Sequence, residues 1–308
     1  MAVKLLIVVL VVWFIRRTLV EAWEELGKRH WQFDFWWLVA SGGFYLLGSL
    51  LCGIFWHRTL LALGQNVSLL NAIRAFYIGH LGKYVPGKAM VVVLRAGLIR
   101  GPGVDTTLAA TSVFFETLTM MSVGSLMAAA IVVIWFHEHA LLFWAALAMM
   151  LVAGLPTLPP VFRRLVRWVG VGRSNPEIVG KLDRLGYRVV ALGWVLNALG
   201  WVILGLSFWA VLRALGVGEV NPFERLYLHT AAVSLATVAG FVSLVPGGAV
   251  VREAVLTELT GPYLGGSVAL VSAILLRLVW LLAELAASGV LYAVAFTRGD
   301  RVTKNRLP

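Results

Sequence analysis

The sequence predicts an all-α integral membrane protein with about six spanning helices and two Pro-Gly-broken re-entrant hairpins in an inverted repeat. Composition is the first observation: of 308 residues, 60% are hydrophobic and 13% charged, and the mean hydropathy is +0.88, far from a soluble domain. Several apolar runs also reach the roughly 20 residues that cross hydrocarbon. Two further apolar runs are interrupted by proline and glycine.

The spanning helices follow from the apolar runs. The short N-terminal run, residues 5–15, is followed by Arg16 and Arg17 instead of a small-residue cleavage site, so it is predicted to be an uncleaved first helix. With the amphipathic stretch after it, predicted to lie in the interface, it forms an N-terminal segment at 1–34. The remaining spans are predicted at 35–56, 108–136, 140–160, 189–212 and 268–296. Tryptophans near the ends of such runs are typical of interfacial rings: Trp13, Trp36, Trp37, Trp56, Trp135 and Trp194.

Two broken hairpins are predicted, at 69–105 and 222–263. The first breaks at Pro86 and Gly87, because proline removes a backbone donor and glycine adopts conformations other residues avoid. The second breaks at the triplet Pro246, Gly247 and Gly248. At membrane depth such breaks are tolerated only inside protein or beside a water-filled cavity.

The order of elements repeats once along the single membrane domain, 1–308. A spanning helix, a broken hairpin and a helix with a buried charge occur in repeat A, 35–160, and again in repeat B, 189–297. The buried charges, Glu116 and Arg277, follow their breaks at nearly the same distance. This similarity lies in element order and spacing more than in residue identity.

The basic residues predict the orientation. The loop 161–188 and the tail 298–308 are rich in arginine and lysine and are predicted to be cytoplasmic, in a plasma (inner) membrane protein. The first hairpin then enters from the cytoplasm and the second from outside, an arrangement through which transporters build a site near the midplane. Arg16, Arg17, Lys28 and Arg29 conflict with this orientation unless the first helix does not span.

Charges inside spanning helices cost about 2.5 to 3.5 kcal/mol each, so Glu116, Arg277 and Glu284 need partners or a function. Two interpretations stay open. Glu116 and Arg277 form a structural ion pair that joins the repeats, or they belong to a substrate site in which basic side chains bind phosphate. The basic residues of that site are Lys83, Lys88, Arg95, Arg252 and Arg277. Half-helices starting after the two breaks would add their positive dipole ends.

Other classes of function are disfavoured. The net charge of +11 is explained by inside-positive loops and anionic headgroups, so no nucleic-acid partner is predicted. No HExxH, GxSxG or Walker motif is present, and no cofactor is predicted. No metal site is predicted either, because His137, Glu138 and His139 read as a solvated turn. Cys52, the single cysteine, reads as a packing residue. His80 and His229 lie in the hairpins and are candidate sensors of protonation.

The chain also resembles a known family. The stretch GHLGKYVPGKAMVVVLRAGLIRG, the FFETLTMM after it and SLVPGGAVVREAVL are similar to signature regions of the lysylphosphatidylglycerol synthase transmembrane region, a flippase-like membrane family. The resemblance covers about Phe35 to Phe296. It implies re-entrant elements, with family motif positions at Lys83, Pro86, Gly87, Lys88, Arg95, Glu116, Pro246, Gly247, Gly248, Arg252 and Glu253.

Two departures from the family qualify the resemblance. The soluble aminoacyl-transferase domain of bifunctional members is absent, so synthesis of aminoacyl lipid is not expected. Ala249 and Val250 stand where members often have further small residues.

The leading hypothesis is a lipid translocase, a transporter and not an enzyme, for an anionic or modified phospholipid or lipid-linked intermediate. Membrane lipids are its predicted partners, and a lipid-synthesising enzyme is a candidate partner. The alternative is a membrane transferase, or its accessory protein, acting on a polyprenyl-phosphate-linked glycan with Glu116 or Glu253 as base. A non-transporting membrane scaffold is a third hypothesis.

Overall fold

The structure is a computed structural model that describes residues 33–85, 89–135, 140–168, 170, 180–243 and 245–304. The described residues form ten α-helices and no strand. The helices are α1 (Phe35–Ala62), α2 (Leu69–His80), α3 (Ala89–Leu98), α4 (Thr106–Trp135), α5 (Ala140–Gly154), α6 (Pro159–Trp168), α7 (Tyr187–Ala214), α8 (Leu226–Val242), α9 (Val251–Leu264) and α10 (Gly266–Lys304).

Four helices of the described chain are long and apolar enough to cross a bilayer: Phe35–Ala62, Thr106–Ile131, Tyr187–Ala214 and Gly266–Val294. They match four of the six predicted spans. The predicted N-terminal helix lies outside the described residues. The predicted span at 140–160 contains a helix of only 15 residues, followed by a 3₁₀ turn at Leu155–Thr157, and this is shorter than the roughly 20 residues needed.

Helices α1 and α7 pack against each other in antiparallel orientation. In five successive contacts, residue numbers rise along α1 and fall along α7. The contacting residues are Asp34 and Ala214, Ser41 and Ser207, Gly48 and Gly200, Cys52 and Asn197, and Phe55 and Gly193. The first helices of the two predicted repeats therefore run in opposite directions.

Small residues let these two helices approach closely. A Cβ atom built on Gly48 would lie 3.0 Å from the Gly200 carbonyl oxygen, and one built on Gly200 would lie 3.1 Å from the Gly48 carbonyl oxygen. Two turns away, the Ser41 hydroxyl donates to Ser207 O at 2.8 Å and the Ser207 hydroxyl donates to Ser41 O at 2.9 Å. Glycine and serine at such crossings are typical of helix packing in lipid, where dispersion and interhelical hydrogen bonds replace the hydrophobic drive.

The bundle has two distinct ends. At the Asp34 end, where α1 begins and α7 ends, Trp37 packs edge-on against Trp209. At the opposite, Gly64 end, the turn after α1 is joined to the turn before α4 by hydrogen bonds from Asn66 N to Gly103 O and from Asp105 N to the Gln65 side chain. Asp105 also caps α4 through Thr107 N and Leu108 N, which gives this isolated aspartate a structural role.

The first helix pair, α2 and α3, begins and ends at the Gly64 end, because the segments flanking it are the two turns just described. The second helix pair, α8 and α9, begins and ends at the Asp34 end. There Arg225 lies over the Tyr263 ring at 5.2 Å and pairs with Glu219 at 3.1 Å, while Trp209 Nε1 donates to Glu219 O. The two pairs therefore extend into the bundle from opposite ends.

The turns at the inner ends of the two pairs touch. The 3₁₀ turn Leu81–Tyr84 of the first pair contacts the 3₁₀ turn Pro246–Gly248 of the second, and a Cβ built on Gly247 would lie 3.0 Å from the Tyr84 ring. The first half of the bundle comprises α1, the first helix pair and α4, and the second half comprises α7, the second helix pair and α10. The last long helix of each half also packs on the helix pair of the other half, α4 on α8 and α10 on α2. Helix pairs and long helices are thus interleaved around one interior.

One local prediction is wrong. Trp56 was expected at an interface, but it is fully buried and donates to Ser112 Oγ at 2.9 Å. The basic segment 161–188, predicted to be a cytoplasmic loop, includes most of the amphipathic helix α6, which packs Phe162 and Val166 into a cluster with Leu63 and Leu182. Cys52 is buried, as a packing residue should be.

The crossing of α1 and α7 gives a stability prediction. Gly48→Val should lower the unfolding free energy by about 1–3 kcal/mol, because the added side chain must push two backbones apart. Gly43→Val is the matched control on the same helix, since a Cβ there meets nothing within 4 Å. The measurement is the unfolding midpoint in detergent, and equal midpoints for the two variants would contradict the close crossing.

Candidate functional site

A cavity of ≈ 280 Å³ lies beside the contact between the two helix pairs. Both pairs line it, through residues that include His80, Lys83 and Arg95 from the first and Gly240 and Arg252 from the second. Much of the remaining wall is apolar: Phe76, Val91, Val92, Val113, Met120, Met121, Leu204 and Trp280. The cavity thus combines a mainly apolar wall with a concentrated set of ionisable groups.

A much smaller cavity of ≈ 30 Å³ adjoins the large one. The two share Lys83, Thr237, Gly247, Arg252 and Trp280 in their walls, and the small one adds Glu253 and Arg277. Its volume exceeds the roughly 10–15 Å³ that a water molecule needs. A small compartment lined by both charged and apolar side chains therefore lies next to Arg252.

Arg95 and Glu116 form a buried ion pair at one side of the large cavity. The Arg95 Nη1 to Glu116 Oε2 distance is 2.7 Å, and each side chain is only 2% exposed. The guanidinium also lies 4.0 Å from the centroid of the Phe76 ring, a cation–π contact that further stabilises it. This pair joins α3 to α4, the second half of the first helix pair to the following long helix.

A second group of polar side chains surrounds Glu284 of α10. The ammonium of Lys83 and the hydroxyl of Tyr45 both donate to Glu284 Oε1, and His80 Nε2 lies 3.8 Å from the same oxygen. His80 Nδ1 accepts from Arg95 Nη2 at 3.2 Å, because a guanidinium can only donate. Hydrogen bonds therefore connect Glu116, Arg95 and His80, and His80 lies close to the group around Glu284.

Arg277 pairs with Glu253, so the third ion pair joins α10 to α9. The alternative in which Glu116 and Arg277 bond each other is therefore wrong: each bonds to the inner helix pair of its own half. The two pairs occupy similar places with their charges exchanged. In the first half the helix pair supplies the cation and the long helix the anion, and in the second half these roles are reversed.

Arg252 differs from these basic residues. Among the described residues it has no ion pair. Its buried Nε, like that of Arg95, has no hydrogen-bond partner. Its side chain passes between two glycines: a Cβ on Gly240 would lie 2.6 Å from Arg252 Cγ, and one on Gly248 would lie 3.0 Å from Arg252 Nε. The glycines thus make room for an arginine that lines both cavities.

The large cavity also reaches the outer surface of the bundle. Phe114 of α4 is 56% exposed, and Phe241 of α8 is partly exposed, yet both line the cavity. Because α4 and α8 pack side by side, these rings mark an opening between two apolar helices.

The second break has the conformation that its glycines permit. Gly247 and Gly248 have φ values of 61° and 65°, in the left-handed region that side chains disfavour. Val250, two residues on, has φ 71°, which is costly for a β-branched residue. The backbone is therefore strained just before Arg252.

Pro86, Gly87 and Lys88 lie outside the described residues, as do His137, Glu138 and His139.

Six predicted site residues thus line the two cavities: Lys83, Arg95, Glu116, Arg252, Glu253 and Arg277. Sequence reasoning missed the role of Tyr45, which carries no charge and lies in an apolar run like any core aromatic. It also left Glu284 out of the site, although a carboxylate in a spanning helix was a usable signal. The sequence contains no pattern that predicts the opening at Phe114 and Phe241.

The family described as the lysylphosphatidylglycerol synthase TM region matches the chain over residues 1–288. No curated protein matches the chain.

The buried ion pair leads to a double-mutant prediction. Arg95→Met and Glu116→Met should each cost about 3–5 kcal/mol of unfolding free energy, because each strands a buried charge. The double variant should cost clearly less than the two together, a coupling measurable by reversible unfolding in mixed micelles.

The control cycle uses Arg163 and Asp183, a more exposed pair whose atoms lie 2.9 Å apart. Its coupling should stay below about 1 kcal/mol. If the double variant lost as much unfolding free energy as the two single variants together, the Arg95–Glu116 contact would not stabilise the fold as predicted.

Proposed function

Because the chain belongs to the family of the lysylphosphatidylglycerol synthase TM region, a membrane protein family linked to lipid handling, we propose that it translocates an anionic phospholipid or lipid-linked intermediate across the bilayer. One observation carries the proposal. An arginine without an ion pair among the described residues lies in a cavity that opens between apolar helices. Such a site suits a molecule with an anionic head and hydrocarbon tails.

The two helix pairs act as re-entrant hairpins. Helices α2 and α8 have 12 and 17 residues, fewer than the roughly 20 needed to cross hydrocarbon. Each pair returns to the end from which it came, and their inner turns touch. Together with the antiparallel α1 and α7, this arrangement supports an inverted repeat with its substrate site near the midplane.

The headgroup phosphate binds Arg252. A guanidinium donates two parallel hydrogen bonds to phosphate oxygens, and Arg252 is held next to the strained start of α9, whose dipole favours an anion. The acyl chains pass outward between Phe114 and Phe241 and stay in lipid. Translocation then moves the head through a mainly protein-lined chamber while the tails never leave hydrocarbon, which avoids the cost of exposing a charge to the bilayer core.

The Gly64 end faces the cytoplasm of a plasma membrane protein. Basic residues concentrate there: Arg100 after α3, Arg163, Arg164 and Arg167 in α6, Arg184 before α7 and Arg188 in its first turn. The Asp34 end carries Arg213 and Arg225 beside the acidic residues Asp34, Glu219 and Glu224. The difference between the two ends supports this orientation, since basic residues are retained on the inside.

A transferase acting on a polyprenyl-phosphate carrier has less support. Its candidate base Glu116 is held in a buried ion pair, whereas a general base needs a lone pair directed at the substrate proton. Glu253 also pairs with Arg277, but only through Oε1, and its Oε2 has no hydrogen-bond partner among the described residues. Translocation requires neither group to accept a proton. Membrane lipids are the partners this function implies, and a lipid-synthesising enzyme remains a candidate partner.

Cysteine labelling tests the orientation. In a Cys52→Ser background, Val220→Cys should react with a membrane-impermeant maleimide in intact cells, because Val220 is 81% exposed at the Asp34 end. Gly101→Cys, exposed at the Gly64 end, should react only after permeabilisation. Labelling of both sites from the same side would overturn the proposed topology.

Substitution of Arg252 tests the proposed function. Proteoliposomes with the wild-type chain should speed the movement of a fluorescent anionic phospholipid between leaflets, and Arg252→Gln should reduce the rate at least about tenfold, because phosphate binding loses more than about 1.4 kcal/mol. Gly240→Ala should also slow movement, since its Cβ would displace the Arg252 stem.

The controls are Glu258→Gln, an exposed carboxylate on the same helix, and Gly289→Ala, where a Cβ meets nothing within 4 Å. Both should move lipid at the wild-type rate. A wild-type protein that moves no anionic lipid would refute translocation, and an Arg252→Gln variant at full rate would remove Arg252 from the site.

A further inference from the structure

We infer that helix α6 lies in the bilayer interface at the Gly64 end and binds the phosphate groups of anionic phospholipids in that leaflet through Arg164 and Arg167. This surface site is separate from the two cavities. The inference therefore goes beyond the proposed translocation and does not depend on it.

The first argument is the position of α6 in the bundle. Phe162 of α6 packs against Phe115, with ring centroids 4.9 Å apart, and shares a buried cluster with Leu63, Leu108 and Leu185. Leu63 directly follows α1, Leu108 lies in the first turn of α4, and Leu185 lies two residues before α7. Helix α6 therefore lies at the level where three long apolar helices begin or end, which is where hydrocarbon gives way to headgroups.

The second argument is the arrangement of side chains around α6, where successive residues are about 100° apart. One stripe, which includes Phe162 and Val166, is buried against the bundle. A second stripe is apolar but exposed, since Leu165 is 39% and Trp168 79% exposed. The basic residues form a third stripe. An exposed apolar stripe beside a basic one is typical of helices in a membrane interface, where the first faces acyl chains and the second faces headgroups.

The third argument is the availability of the basic stripe to a phosphate group. Arg163 is engaged within the protein, because its Nη1 lies 2.9 Å from Asp183 Oδ1 and its Nε donates to Pro159 O. Arg164 and Arg167 are exposed, and neither has an ion pair among the described residues. A guanidinium group can donate paired hydrogen bonds to phosphate oxygens, so these two arginines are the phosphate ligands.

The charge of the surrounding segment selects an anionic partner. Residues 161–188 contain seven basic and two acidic residues, a net charge of +5. The parts of this segment outside the described residues, 169 and 171–179, contain one basic and one acidic residue and leave that balance unchanged. The exposed Leu165 and Trp168 require a partner that also supplies hydrocarbon. An anionic phospholipid has both properties, whereas an acidic soluble protein supplies the charge alone.

Lipid binding is the first test. The starting chain carries Arg252→Gln, so that the proposed translocation site contributes little, and native mass spectrometry in detergent compares phosphatidylserine with phosphatidylcholine on identical acyl chains. Because each arginine near an anionic surface contributes about fivefold to affinity, adding Arg164→Gln and Arg167→Gln should weaken phosphatidylserine binding at least about tenfold and leave phosphatidylcholine binding unchanged. The same loss is expected without the Arg252 substitution. The matched pair Arg164→Lys and Arg167→Lys keeps both charges and should keep the preference for phosphatidylserine.

The depth of two labels is the second test. In a Cys52→Ser background reconstituted into nanodiscs, a bimane label on Leu165→Cys should be quenched by brominated acyl chains. The same label on Arg164→Cys should instead be quenched by iodide in the water. This contrast checks that the apolar and basic stripes face different surroundings.

Two results would overturn the assignment. One is unchanged phosphatidylserine binding after both arginines are replaced by glutamine. The other is iodide quenching at both labels, which would place α6 in water as a surface for an acidic protein. Neither result bears on translocation, and a chain that passes both tests but moves no lipid in proteoliposomes would refute translocation alone.

Discussion

Hydrocarbon cannot solvate a charge, and that constraint governs the interior of this protein. Each of three carboxylates buried in the bundle is bonded to a basic side chain from another element. Lys83 and Glu284 connect the inner turn of the first helix pair to the last long helix, whereas the other two pairs connect elements of the same half. The ion pairs therefore fix the positions of the helix pairs, which on their own are too short to be anchored by the bilayer.

The two halves have the same order of helices but differ in the partners of their buried arginines. In each half an arginine of the inner helix pair passes close to a glycine of the preceding helix, Arg95 beside Gly79 and Arg252 beside Gly240. Arg95 meets a carboxylate, while Arg252 meets an open cavity. Among the described residues, Arg252 is the basic side chain of the two cavities that has no ion pair. The two halves thus place different partners around similarly located arginines.

Much of this arrangement could be predicted from the sequence. Long apolar runs located four spans, because length and hydropathy are local properties, and the proline and glycine breaks located the second inner turn for the same reason. Partner choice could not be predicted, since Glu116 had several cations at plausible distances along the chain and only packing selects Arg95. Helix α6 was missed because its apolar stripe is short and its arginines resemble those of a loop. Trp56 was misplaced because an aromatic ring near the end of an apolar run suits a core as well as an interface.

The reciprocal hydrogen bonds of Ser41 and Ser207 have a mechanical consequence. They lie between α1 and α7, and each serine hydroxyl donates to the backbone carbonyl oxygen of the other serine. Because Ser41 lies near the start of α1 at Phe35, these bonds hold the two helices together near the Asp34 end. A relative tilt of α1 and α7 that kept these bonds would separate the two helices most at the Gly64 end.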